Sequence, residues 1–150
     1  MALSVNTKLE ALKNELEDRL DPSGDYAKRP VIKHGYYTLR DLKGELPAVC
    51  FMCYGEDLEE LMGDSAISWL QVRIYGFAPS DGVDTKTAVK ELAHDVLYFL
   101  HSDDFTYSDD TWVTSNISYL DASPPGKPVG QFVFDVKIKD ETLYSTLRGN

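Results

Sequence analysis

Cysteine and histidine are scarce in this chain, whose 150 residues contain only two Cys and three His. The two cysteines, Cys50 and Cys53, form a CxxC motif, which could be a redox pair or half of a zinc site. There is no second CxxC, and the motif lies in an apolar, strand-like run, where residues three apart point to opposite faces. We therefore expect two buried, reduced core thiols.

Motifs of nucleophilic catalysis and of phosphate binding are lacking as well. The sequence contains no Gly-x-Ser-x-Gly, no Walker A loop and no Gly-x-Gly-x-x-Gly. His94 and His101 are two helical turns apart, about 10 Å along a helix axis, which is too far to share one metal ion. The acidic loop that follows them lacks the ligand spacing of an EF-hand. We expect no catalysis, no cofactor and no metal site.

Long apolar runs are lacking too. None approaches the roughly 20 residues of a membrane-spanning helix, and the N-terminus has no basic segment followed by an apolar stretch. We expect a soluble protein without a membrane partner, made in a cytoplasm. A hydrophobic content of 43% over 150 residues predicts one globular domain, residues 1–150, with a substantial core.

Positive charge is in short supply, with 15 Lys and Arg against 25 Asp and Glu. Residues 91–126 contain no Lys or Arg, whereas residues 28–43 carry five basic side chains against Asp41 alone. An acidic surface disfavours tight binding to phosphate backbones. Two interpretations stay open: a solvated, solubilising surface, or a basic segment of one copy that meets an acidic patch of the next.

Helical spacing predicts a first helix whose apolar stripe is Val5, Leu9, Leu12, Leu16 and Leu20. Thr7 and Glu10 fit a capping box at its start. Glu15 can pair with Arg19 one turn later. A second helix over residues 88–100 has a broader apolar face, which suits a helix laid flat across a sheet.

Period-two alternation predicts strands over residues 67–77, 112–120 and 131–139. Residues 48–54 are apolar on both sides, which predicts a central or covered strand, followed by an acidic loop over residues 55–64. In the strand over 67–77, one face carries Leu70, Val72 and Ile74. The other carries Trp69, Tyr75 and Phe77, and we interpret it as half-covered or as an interface.

The connection over residues 21–45 is unusually long and reads as a loop or arm, of the kind that is often functional. Within it, residues 31–32 and 36–37 fit either a short strand or an extended arm. Residues 140–150 read as a short tail that is mobile or reaches a neighbour. The order of helix, strand, strand, helix, strand, strand predicts an α+β domain, a mainly antiparallel sheet with two helices packed on one face.

The chain resembles the tail terminator, or tail-completion, proteins of long-tailed bacteriophages over most of its length. The resemblance rests on the leucine-striped first helix, LPAV at 46–49 with YGED at 54–57, LQVRIYGF at 70–77, the helix at 88–100, and FVFDV at 132–136. It implies a structural subunit of the virion that forms a hexameric ring on the head-proximal end of the tail tube. Such a ring is assembled in the bacterial cytoplasm, stops tube polymerisation and provides the surface for head–tail joining.

The partners implied by this resemblance are further copies of the chain, the tail tube protein and a head-completion or connector protein. DNA passes through the lumen without specific binding, a role that an acidic wall suits. We expect the basic segment to meet acids of an adjacent subunit, with tyrosines and a tryptophan as anchors. The residues expected at these contacts are Lys28, Arg29, Lys33, Tyr36, Tyr37, Arg40, Lys43, Glu56, Asp57, Glu59, Glu60, Trp69, Asp103, Asp104, Asp109 and Asp110. Another head–tail connector or neck protein, and a small acidic protein-binding module, stay open as alternatives.

Overall fold

The computed structural model describes residues 4–20, 30–58, 65–79, 87–122 and 128–143. The elements are α1 (Ser4–Arg19), β1 (Val31–His34), β2 (Ala48–Leu58), β3 (Ser65–Pro79), α2 (Thr87–Leu100), β4 (Thr111–Val113), β5 (Ser118–Asp121) and β6 (Val129–Leu143). One turn of 3-10 helix, Ser108–Asp110, precedes β4.

The strands form one six-stranded sheet with the order β1-β2-β3-β6-β4, and β5 also pairs with β6. Only β1 and β2 pair in parallel; every other pairing among the described strands is antiparallel. The long strands β2, β3 and β6 form the centre, and the edges are short. The predicted α+β domain with a mainly antiparallel sheet is confirmed.

Both helices pack on the same face of this sheet, as their apolar stripes predict. From α1, Leu9, Leu12, Leu16 and Leu20 are buried, whereas the side chain of Val5 lies outside the described part of the structure. Leu92 and Val96 of α2 are fully buried in the same cluster. From the sheet this cluster takes the alternate residues predicted to face inward. They are Leu70, Val72, Ile74, Phe132, Phe134, Val136 and Ile138.

The local details of α1 differ from the expectation. Because the helix begins at Ser4, Thr7 lies within it and the predicted capping box is wrong. Glu15 and Arg19 each contact the loop after α2 rather than forming the predicted pair: Glu15 accepts hydrogen bonds from Thr106, and Arg19 donates to the backbone carbonyl of Asp104. Tertiary contacts here replace the local i,i+4 pair.

Strand boundaries also depart from the pattern. The strand expected over 112–120 is two strands, β4 and β5, both hydrogen-bonded to β6 and separated by residues 114–117. β2 continues to Leu58 instead of giving way to a loop at residue 55, and β6 runs to Leu143, so residues 140–143 belong to the sheet. Of the two readings for residues 31–32, the short strand is the one observed: residues 31–34 form β1 beside β2, whereas residues 36–37 are not in a strand.

Candidate assembly interface

The segment after β1, residues 35–46, crosses onto the sheet face opposite the helices, and we call it the arm. Gly35, with φ of 136°, turns the chain away from β2 through a backbone conformation that favours glycine. The apolar side chains of the arm then cover half of that sheet face. The second buried cluster formed there comprises Leu42, Ala48, Cys50, Tyr75, Phe77 and Val129, with Tyr37, Leu39 and Leu46 packed against it.

The hydroxyl of Tyr75 fastens the arm to the sheet. It accepts a hydrogen bond from the Tyr37 N–H at 2.6 Å and donates to the Tyr37 carbonyl at 2.8 Å. Burial raises the pKa of Tyr75, so the hydroxyl keeps the proton that it donates. Both Tyr37 backbone groups are thereby satisfied by one side chain of β3.

The basic residues of the arm stay accessible. Arg40 and Lys43 are exposed, and so is Glu45, an acid of the arm. Lys33, which precedes the arm in β1, lies over the Tyr37 ring at 5.7 Å. Asp41, the other acid of the arm, accepts hydrogen bonds from the Thr38 N–H at 2.9 Å and hydroxyl at 2.8 Å. The Thr38 N–H bond is the main reason that the Asp41 pKa is lowered, with the hydroxyl bond second. Asp41 thus ends up organising the turn.

Next to the arm, the same sheet face carries uncovered aromatic and charged side chains. Trp69 and Trp112 pack edge to face at 5.2 Å between ring centroids, and Lys137 lies over the Trp69 ring at 4.4 Å. Arg73 lies over Tyr54 at 5.2 Å. We call this face together with the arm the open side. The face that carries Trp69 is half-covered, as predicted, and its role as an interface stays a prediction. Tyr54, Trp112 and Lys137, which lie on this face, were not among the expected contact residues.

Arg73 forms a bidentate salt bridge with Asp135 of β6: its Nε donates to Oδ1 at 2.8 Å and its Nη2 donates to Oδ2 at 3.2 Å. The hydrogen bond to Asp135 is the largest cause of the raised pKa of Arg73.

Beside this pair, between the arm and the sheet, lies a cleft of about 370 Å³. Its walls are mostly aromatic and aliphatic, with Arg73 and Gln131 as polar members. The lining includes Tyr36, Tyr37 and Leu39 from the arm, and Met52, Arg73 and Val133 from the sheet.

Two acids, Asp57 and Asp135, belong to this sheet face, where they contact Gln71 and Arg73. The other described acids of the expected set lie elsewhere. Asp103 and Asp104 are exposed in the loop after α2, and that loop is held against α1 by the buried ring of Phe105 and by the Glu15 and Arg19 contacts. We call α1, α2 and this loop the helix side. Asp109 and Asp110 are in the 3-10 turn that leads into the edge strand β4.

Glu56 and Asp57 are exposed near the C-terminal end of β2, where Asp57 accepts a hydrogen bond from Gln71. Lys28, Arg29, Glu59 and Glu60, also expected at contacts, lie outside the described residues. Within them, the structure places the basic arm on the open side and Asp103 and Asp104 on the helix side, so basic and acidic members of the expected set are not brought together within one molecule.

The two cysteines lie on opposite faces of β2, as predicted. Cys50 is fully buried in the cluster under the arm, and Cys53 is partly buried against the helix-side core. Burial raises the pKa of Cys50 to about 11, and it also raises the pKa of Cys53. Both are free thiols, and both belong to the packing of the sheet.

Comparison with protein-family models gives no match for this chain, and comparison with curated proteins gives none either. None of the helices described here is long and apolar enough to cross a membrane.

Proposed function

We propose that the protein is a tail terminator, a structural subunit that forms a ring at the head-proximal end of a bacteriophage tail tube. In this role it stops tube polymerisation and offers the surface on which the head is joined. The ring contains six copies, as the resemblance implies, and its contacts are made by surface charge and aromatic side chains. The protein acts through assembly, without a chemical step.

The observation that carries this proposal is the separation of charge between two sides of one domain. The cations of the open side outnumber its acids, whereas the helix side bears exposed Asp103 and Asp104. The cations include Lys33, Arg40, Lys43, Arg73 and Lys137, and the acids are Asp41, Glu45, Asp57 and Asp135. Closed cyclic oligomers other than dimers need two different patches, because each subunit uses one patch for the neighbour before it and the other for the neighbour after it. A domain with opposite charge on different sides meets that requirement, whereas a uniformly acidic domain would repel its own copies.

The first test is molar mass by size-exclusion chromatography with light scattering, over a range of protein and salt concentrations, with negative-stain images of any large species. The expected mass is six times the 16.9 kDa of one chain, in ring-shaped particles. The ring should then bind one end of tubes formed by a phage tail tube protein. Binding to the portal side instead would make the protein a head–tail connector.

A paired charge reversal tests the contact itself. Arg40→Glu with Lys43→Glu should abolish ring formation at low salt, since both side chains are exposed and the substitution places acids opposite acids. Lys13→Glu, on the exposed face of α1 and outside both the arm and α2, is the control for a reversed charge and should leave rings intact. Rings that persist in the first variant at both low and high salt would rule out the arm as a charged contact.

A further inference from the structure

The exposed apolar side chains of this protein are divided unequally between its two sides. Five large ones are exposed among the described residues. Tyr36, Tyr54, Trp112 and Leu120 belong to the open side, with Tyr36 on the arm and Leu120 opposite Gln131 in the sheet register. The fifth, Tyr98, is 75% exposed on α2 of the helix side. One side therefore presents a broad aromatic surface, and the other presents a single aromatic side chain.

The charges beside these aromatics are complementary. On the open side, Lys137 stacks on Trp69, and none of the ion pairs among the described residues includes it. On the helix side, Tyr98 is one turn from Asp95, and the α2 loop continues into exposed Asp103. An amphipathic ring flanked by acids matches a cleft with aromatic walls and neighbouring cations.

We propose that the open side binds the α2 surface of a second copy, head to tail, with Tyr98 entering the 370 Å³ cleft beside Arg73. The inference rests on the proposed function in one respect, that copies of this chain assemble with one another. It goes further by naming the contact: Tyr98 of one subunit against Tyr36, Met52 and Val133 of the next.

The alternative pairings of two copies are disfavoured by the same charges. Two open sides face to face would bring the surface that carries Arg40, Lys43 and Lys137 against an identical surface. Two helix sides would bring Asp103 and Asp104 together in the same way. Like charges across an interface cost free energy and select against that pairing. Only the head-to-tail arrangement places unlike patches in contact, and it leaves one free patch at each end until a ring closes.

The cleft is suited to a side chain of this kind. Its volume lies in the range of sites that hold small organic groups, and the hydroxyl of an entering tyrosine would find Gln131 and Arg73 as polar partners. Tyrosine offers large contact area with little loss of side-chain entropy, which makes it a common anchor at interfaces.

The experiment begins with two variants of exposed side chains, Tyr98→Asp and Tyr36→Asp, which are 75% and 71% exposed in the wild-type monomer and so should not disturb its fold. Each should raise the concentration for half-assembly at least tenfold. Mixed in equal amounts, they should form a heterodimer of twice the 16.9 kDa chain mass, because one intact contact remains between them. Asn14→Asp, exposed on α1, is the matched control and should assemble normally.

Photo-crosslinking then locates the contact whether or not rings close. With p-benzoylphenylalanine in place of Tyr98, irradiation should link this position to peptides from the arm or from β2 and β6 of another copy. Rings with links only to helices of another copy, or with no links, would overturn the docking while leaving the terminator proposal standing. Links to the open side without rings would support the docking and count against a closed ring. Neither rings nor links, at any protein concentration, would overturn the docking, and binding to tube ends would then decide the proposed function alone.

Discussion

At the scale of single residues, a buried ion pair between Asp140 and Lys8 stabilises the packing of α1 on the sheet. Asp140, expected at the start of a mobile tail, is 3% exposed in β6. Its carboxylate pairs with the Lys8 ammonium at 3.3 Å, and Lys8 also donates to the Lys139 carbonyl. This contact joins α1 to β6 across 131 residues of sequence. A buried pair of this kind is costly to break, because the remaining partner is left uncompensated away from water.

We therefore expect Lys8→Ala to lower the free energy of unfolding by about 3 kcal/mol, the lower end of the range for breaking a buried pair. Lys13 provides the matched control. It pairs with Glu17 at 2.7 Å on the exposed face of the same helix, and Lys13→Ala should cost about 0.5 kcal/mol or less. Urea unfolding followed by circular dichroism measures both. Equal losses in the two variants would contradict the structural role given to Lys8.

Cys50 and Cys53 lead to a second prediction at this scale. Three residues of extended strand separate their Cα atoms by about 10 Å, beyond the roughly 7 Å that a disulfide spans. With raised pKa values, neither thiol has the thiolate character that reactive cysteines need.

In the native protein at pH 8, Cys50 should therefore not react with an aromatic disulfide reagent, and Cys53 should react slowly. Both should react at once in 6 M urea, where the burial that protects them is lost. Mass spectrometry of alkylated peptides without reductant gives the count at each position. A native disulfide, or a Cys50 that reacts as fast in the folded as in the unfolded chain, would show that the motif is a redox pair after all.

At the scale of elements, the position of the arm depends on tertiary contacts more than on its own local sequence. Its path depends on the turn at Gly35, on the apolar side chains that cover Cys50 and Phe77, and on the hydrogen bonds between Tyr75 and Tyr37. The arm carries the exposed basic residues and one wall of the cleft. The proposed interface therefore requires the arm to be held in a fixed position on the sheet.

Tyr75→Phe should loosen the arm without unfolding the sheet. The substitution leaves the Tyr37 N–H and carbonyl without their partner, at a cost of about 1–3 kcal/mol for buried polar groups. Hydrogen exchange in residues 36–46 should become faster, while exchange in the centre of β6 stays slow. Below the concentration at which copies assemble, Tyr98→Phe, which removes a hydroxyl from an exposed side chain of α2, should change neither. Unchanged exchange in the arm of the Tyr75→Phe protein would contradict the fastening role.

At the scale of the whole molecule, the sidedness of charge matters more than its total. The net charge of −10 predicts mutual repulsion between copies. The exposed cations of the arm and of the open side offset this repulsion locally, because they can face the acids on the helix side of another copy. This local attraction permits head-to-tail contact.

Assembly should consequently depend on ionic strength. Raising the salt concentration from 0.1 to 1 M shortens the screening length from about 10 to about 3 Å, and the concentration for half-assembly should rise about tenfold. Light scattering across a salt series measures this, with the Arg40→Glu, Lys43→Glu variant expected to show a weaker or reversed dependence. Wild-type assembly that tightens in 1 M salt would mean that apolar contact, rather than charge, dominates the interface.

The sequence by itself determined the elements whose periodicity is long and regular. The α1 leucines, the α2 face and the alternation in β3 and β6 predict both helices, the central strands and the helix-side core, because burying one apolar face per element leaves few other arrangements. The same alternation predicts a half-covered second face from Trp69, Tyr75 and Phe77.

Only the tertiary structure decided what covers that face and which residues meet on it. The pattern of a four-residue strand such as β1 is too short to distinguish a strand from an extended arm, and its parallel pairing with β2 is not predicted by any local pattern. The break between β4 and β5 depends on hydrogen bonds to β6, including Thr114 N–H to the Asp135 carbonyl at 2.9 Å. The Trp69–Trp112 pair and the cleft join residues far apart in the chain. Local periodicity determines which side of an element is apolar, but neighbours distant in sequence become a surface only when the sheet brings their strands together.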